Sequence, residues 1–231
     1  MRRPNPGTNH PIIVLKKLLL LIIGPGCVLT SELPAQETWP QALRSMPLSA
    51  ETPLNRDNCL PLLLKAFHSN QVVKALVFLP AVSDDFYLIN RAQPKLNLKA
   101  ANLLDAIAAL TNVTAVRATF KQPLLLLHLD RDSLEPSMII DDHRTADRLR
   151  QGSHLPHALW VDAHWEVVEP PLQSTLKMRV LPDARSMDAW HFARHNLAAW
   201  NLSDWDLLAA LSLSGKTTIS IEPNRLLFRN R

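Results

Sequence analysis

Apolar positions along the chain fall into short runs whose period changes several times. Residues 36–57 carry Pro40, Pro47 and Pro53 among scattered polar residues, which predicts an extended leader. At Asn58 the pattern shifts. Leu63, Leu64 and Phe67 recur at helical spacing, with Asn58 as a cap and Pro61 tolerable in the first turn, so a short helix is predicted to end near Ser69-Asn70. Val72 to Leu79, rich in Val, Leu and Phe and stopped by Pro80, predicts a strand. Phe86 to Ile89 is a second candidate strand after the turn Asp84-Asp85. Leu96-Asn97-Leu98 alternates as a short strand does. Asn102 then caps a helix with Asp105 in its first turn and one apolar stripe of Leu103, Leu104, Ile107 and Leu110. Thr114 to Phe120 and Leu124 to Leu127 predict a hairpin around Lys121-Gln122-Pro123, and the unbroken leucines predict a strand covered on both faces.

Residues 130–173 differ. Charge is dense from Asp130 to Arg150, and the segment reads as a solvated connector with a short helix over Thr145 to Arg150. Ala158 to Val168 supplies an extra strand or two, and Pro170-Pro171 closes the connector. From residue 174 the order of elements returns. Leu176, Met178 and Val180 alternate as a strand, and Ser186 caps a helix carrying Trp190, Ala193 and Leu197. Asn201-Leu202 is a short strand. Ser203 with Asp206, and Asp204 beside them, starts a helix whose buried side is Trp205, Leu207, Leu208 and Leu211. Gly215, one of two glycines after residue 35, falls where a helix takes a left-handed exit. Thr217 to Ile221, the turn Glu222-Pro223-Asn224, and Leu226 to Phe228 form a closing hairpin.

Leu96-Asn97-Leu98 and Leu103-Leu104 match Trp200-Asn201-Leu202 and Leu207-Leu208 at an offset of 104 residues. The expectation is an α+β protein of two small modules, residues 58–129 and 174–231, each with two helices packed against short mixed or antiparallel sheets.

The first 35 residues change the picture of charge. Arg2, Arg3, Lys16 and Lys17 precede the apolar run Leu18 to Ile23, and Leu33-Pro34-Ala35 ends it with a small residue. That shape predicts a secretory signal cleaved after Ala35, with an uncleaved anchor as the alternative. The run is short for a membrane span, and Gly24-Pro25-Gly26 would break one. Lipidation at Cys27 is a weaker reading, because Gly-Pro-Gly precedes it. Four of the 25 basic residues and one of the 21 acidic ones lie there, leaving 21 against 20 in the remainder. The basic pI of about 9.3 thus reflects the N-terminus, and nucleic acid is not an expected partner. Cleavage would leave Cys59 as the one cysteine, in a leucine-rich run that suits a buried apolar role and allows no intrachain disulfide.

The order helix, strand, short Asn-Leu strand, helix, hairpin resembles the short N-terminal domain shared by secretins and TonB-dependent receptors. The likeness is carried by Leu60 to Leu79, Lys95 to Lys99, Leu103-Leu104-Asp105-Ala106-Ile107 with Leu110-Thr111, and the hairpin Val116 to His128. A second copy runs over Asn201 to Phe228, with Leu176 to Ala198 as its compressed front. The resemblance implies two helices held between small sheets, a periplasmic or secreted location, docking to an envelope or outer-membrane protein, and no catalytic residues or cofactor. Members of that family usually precede a secretin pore or an outer-membrane barrel. This sequence carries neither, so it is expected to act alone or by self-association.

Candidate chemistry is sparse. His154, His157, Asp162 and His164 could surround a metal ion, but no third ligand stands at a recognised spacing, and solvated or capping roles fit better. Asp141-Asp142-His143 could pair carboxylates with a base and reads rather as an exposed turn. The runner-up function is therefore an exported hydrolase or metal-dependent enzyme using residues 141–164. His191 and His195 read as helix surface, and Cys59 with His68 lacks the electropositive setting a thiolate needs. No Gly-x-Ser-x-Gly elbow or glycine-rich phosphate loop is present. Trp190, Trp200 and Trp205 are the candidate binding residues, with core filling as the plainer alternative.

Overall fold

The computed structural model describes residues 38–48, 58–68, 70–82, 99–152, 154–183 and 194–230. The predicted signal, the strand at Phe86–Ile89, Leu96–Leu98, and the helix start at Ser186 with Trp190 and His191 lie outside them. The chain divides into residues 1–35 and a compact unit of residues 36–231, and it is the latter that follows.

The leader predicted at 36–57 contains a helix, α1 (Trp39–Arg44). Pro40 does not prevent it, because proline is tolerated in a first turn whose N–H groups have no helical partner. Thr38 and Gln41 close a capping box, and Ala42, Leu43 and Met46 are buried. Next come α2 (Cys59–Ala66), flanked by Asn58 without a side-chain capping bond and ending before Phe67, and β1 (Ala75–Phe78), a helix and a strand where the spacing predicts them but each shorter than predicted. In α3 (Leu103–Val113) the Asn102 side chain accepts the Asp105 N–H at 2.9 Å, the predicted cap. The hairpin β2 (Arg117–Lys121) and β3 (Leu124–His128) follows, and all five residues of β3 are buried. The leucine run is thus covered on both faces.

The charged connector gives way to four elements. They are β4 (Ser137–Ile140), α4 (His143–Arg150), β5 (His154–Ala163) and α5 (Trp165–Leu176). Pro170 and Pro171 sit inside α5 instead of ending the segment. The missing N–H groups would have faced the carbonyls of Glu166 and Val167, which lie on the exposed side of the helix within reach of water. Trp165, Val168, Leu172 and Leu176 bury the opposite side. Leu176 therefore ends a helix, and the strand predicted through it begins later, as β6 (Arg179–Pro182).

Leu197, predicted on a helix, lies in the nine-residue strand β7 (His195–Ser203). Ser203 caps α6 (Asp204–Ser214), its hydroxyl accepting the Asp206 N–H at 3.1 Å. Gly215 has φ −99°, and the left-handed exit falls one residue later, on Lys216 at φ 51°. The hairpin β8 (Thr217–Glu222) and β9 (Arg225–Asn230) closes the described chain.

Among the described residues nine strands form two mixed sheets, an α+β fold as expected. The first has the order β2-β3-β1-β7-β5 and the second β4-β8-β9-β6. The first sheet separates two cores. Leu76, Phe78, Leu125 and Leu127 face outward into a core shared with α1, α2 and α3. Ala75, Val77, Leu124, Leu126, Leu197 and Ala199 face inward, toward α5, α6 and the second sheet. Helix α6 lies between the sheets and is buried on every side, from Leu207 through Ser214. That explains its lack of a polar face.

The repeat is visible in the pairing. Strand β1 runs parallel to β3, which is antiparallel to β2; likewise β6 runs parallel to β9, which is antiparallel to β8. Hairpin closures at Lys121–Leu124 and Glu222–Arg225, and the caps Asn102 and Ser203, are each 101 residues apart. Leu103 therefore matches Asp204, and the 104-residue alignment of the leucines is one helical turn out of step. An offset of 104 does hold for the front strands, Ala75 on β1 against Arg179 on β6.

Candidate functional site

The histidines and acids of the middle segment are dispersed. Asp142 caps α4, accepting the Thr145 N–H at 3.0 Å, and this bonding to Thr145 holds its carboxyl below the usual value. His143 is the first residue of α4 and His164 the N-cap of α5. His157, exposed, packs its ring 4.5 Å from that of Trp200. Asp162, at φ 49° in a bulge of β5, pairs with Arg194 at 3.4 Å, and its N–H donates to Asn196 at 2.7 Å. Among the described residues no three His, Cys, Asp or Glu side chains converge on a point that could hold a metal ion.

His195 is not on a helix surface. It opens β7, is fully buried, and shares a hydrogen bond with Ser214 Oγ at 2.9 Å through Nδ1. Its Nε2 has no hydrogen-bond partner among the described residues, and burial pushes the imidazole pKa down to about 4. Neutral and sealed beneath Trp165, it is a core histidine. Cys59 is likewise buried, its thiol pushed up to about 12 by the loss of solvent. A thiol so placed makes little nucleophilic thiolate.

Of the candidate tryptophans, Trp190 lies outside the described residues, and Trp200 and Trp205 pack into different cores. Trp200 packs on the outer core against Phe67, with ring centroids 5.8 Å apart. Trp205 packs on the inner core beneath Arg150, whose guanidinium carbon stands 4.4 Å from the ring centroid. Each is half buried and bound into its own neighbourhood.

A different feature has room for a partner. Helices α1 and α3 and strand β2 enclose an open cleft of about 400 Å³, lined chiefly by Trp39, Leu104, Ile107, Thr111, Arg117 and Ala118. Among the described residues, strand β2 is an edge of the first sheet. Trp39 stacks on Phe120 at 6.3 Å and closes one end of the cleft, while Arg117 stands exposed at the other end of the strand, 3.6 Å from Asp130. The periodicity of α3 and β2 was the available signal for two walls. The third wall, Trp39, lies in a segment whose prolines conceal a helix. No family model matches the chain, and no curated protein or solved structure matches it either.

Proposed function

We propose that this is an exported, non-enzymatic binding or assembly module of the cell envelope, similar in plan to the short N-terminal domains of secretins and TonB-dependent receptors. Its partner is an envelope or outer-membrane protein. The observation that supports the reading is the recurrence of one pairing scheme, a hairpin whose second strand runs parallel to an earlier strand, in both sheets. Exposed sheet edges beside these units offer unpaired backbone groups, and strand addition is the binding mode such edges suit. The bonds near α3 fit the same plan: the Leu48 N–H donates to the Ala101 carbonyl at 3.0 Å, and Pro47 bridges Asn102.

Export and capture test it together. The full chain expressed in a bacterial host should lose residues 1–35 on reaching the periplasm. The chain beginning at Gln36, immobilised, should retain one envelope protein saturably from a solubilised envelope fraction. Stoichiometric bound metal that is lost in His154→Ala, His157→Ala and His164→Ala would replace this reading with the hydrolase.

A further inference from the structure

The two three-stranded cores differ in which edge the rest of the chain fills. In the second core β4 runs parallel along β8, pairing Ser137–Ile140 with Thr218–Ile221. Met138 and Ile140 pack against the inner core, while Ile139 points outward, 42% exposed. Helix α6 pins the start of this strand: Ser212 Oγ accepts the Ser137 N–H at 2.8 Å. Ser137 Oγ meets Thr218 Oγ1 at 3.0 Å. In the first core the matching edge, the outer side of β2, carries no strand among the described residues.

The offset of 101 residues that relates the caps and hairpins carries these contacts across. Thr218–Ile221 correspond to Arg117–Phe120, and Ser212 corresponds to Thr111. Thr111 also bears a hydroxyl, and it lines the cleft. Its Oγ1 donates to the Ala108 carbonyl at 3.0 Å, which leaves lone pairs to accept an incoming N–H. Leu208, on the helix that packs against β4, corresponds to Ile107 in the cleft wall. The cleft therefore lies where the first core would hold its own version of β4. One position differs in charge: where Thr218 meets a serine, Arg117 offers a guanidinium. Its contact with Asp130 is between two exposed side chains, which makes it weak and exchangeable.

We propose that the cleft between α3 and β2 accepts an extended segment of a partner protein, added parallel to β2. Its first residue is acidic, against Arg117, and its second is apolar, against Ala118; the place of the fourth is held by Trp39, which the same offset matches to Ile140 and which stacks on Phe120. The proposal rests on the docking reading and names the partner's chemistry.

The probe is a synthetic peptide copying residues 134–141 with Ser137→Asp, titrated into the chain beginning at Gln36 and followed by amide NMR. Saturable shifts centred on β2, α3 and the Trp39 indole are expected, with slowed exchange of β2 amides. Arg117→Glu should weaken binding about tenfold, and a peptide with Ser137→Lys should restore it. Ala108→Trp, at an exposed position on the cleft, should abolish binding without moving the urea midpoint. The proposal is overturned if no peptide saturates, or if Arg117→Glu and Ala108→Trp leave binding unchanged. Shifts centred on β8, which would mean that β4 is displaced, overturn it too. So does dimerisation of the free chain that Ala108→Trp dissolves, since a second copy is then the occupant. Envelope capture that survives Ala108→Trp overturns this site and leaves the docking reading standing. Peptide binding without envelope capture supports the site and removes that reading.

Discussion

A Cβ placed on Gly215 would stand 2.5 Å from Cε1 of His195. Glycine is required here by a neighbour and not by backbone conformation, because φ is −99°. The ring cannot swing aside: it is fully buried and hydrogen-bonded to Ser214. Gly215→Ala is expected to destabilise the chain by about 1–3 kcal/mol, the usual range for overpacking. Glycine-to-alanine changes at compatible sites stabilise by up to about 1 kcal/mol, so a rise in the urea midpoint would contradict this assignment.

Acid should loosen the same region. The folded pKa of His195 is about 4, below the ordinary 6.5, so the unfolded chain binds the proton more readily. Its contribution is complete above pH 6.5 and is lost as pH falls from there through about 4. The ceiling on that loss is about 3 kcal/mol, at roughly 1.4 kcal/mol for each pH unit between the folded and unfolded values. Urea midpoints measured across this range should fall with acid, and His195→Asn should flatten the slope.

Cys59 should behave as a thiol out of reach. In the chain beginning at Gln36, an alkylating reagent at neutral pH is expected to leave it unmodified in buffer and to label it fully in denaturant. Burial and a pKa of about 12 both act in that direction. Rapid labelling of the folded chain would mean that α2 opens readily.

Ser212 ties α6 to two strands, accepting the Ser137 N–H and donating to the Thr217 carbonyl at 2.7 Å. Ser212→Ala leaves a backbone donor without its acceptor, at a cost of about 1–3 kcal/mol. Hydrogen exchange should quicken at Ser137 and along β4 more than in β1 or β3. Uniform quickening would mean that the hydroxyl does not specifically hold that strand.

The parts legible in the sequence were those governed by local chemistry. Asn102 with Asp105 and Ser203 with Asp206 mark their helices through side chains that reach only three residues. The leucines of β3 declare a strand buried on both faces. Misreadings came where distant packing overrides local preference. Pro170 and Pro171 look like an ending, yet the buried stripe from Trp165 to Leu176 carries the helix through them. Leu197 has helical spacing from Trp190 but is held in a strand between β1 and β5. The leucine-for-leucine repeat misled by one turn because α6 is apolar on all sides, so its leucines do not report which face is which. The cleft needed α1 brought beside α3 and β2 from far earlier in the sequence, and no spacing rule joins Trp39 to Ile107 and Arg117.

Strand β7 is an interior member of a sheet whose other strands come from earlier in the chain, and it pairs with both β1 and β5. A polypeptide emerging amino end first therefore carries the edge of β1 unpaired until residues 195–203 arrive, and the inward face of β1 and β3 without α6 until residues 204–214 follow. During that interval it is a sticky, half-assembled chain. Its safe folding then depends on a holding chaperone, or on emergence fast enough that about the last sixth of the chain arrives before two such intermediates meet.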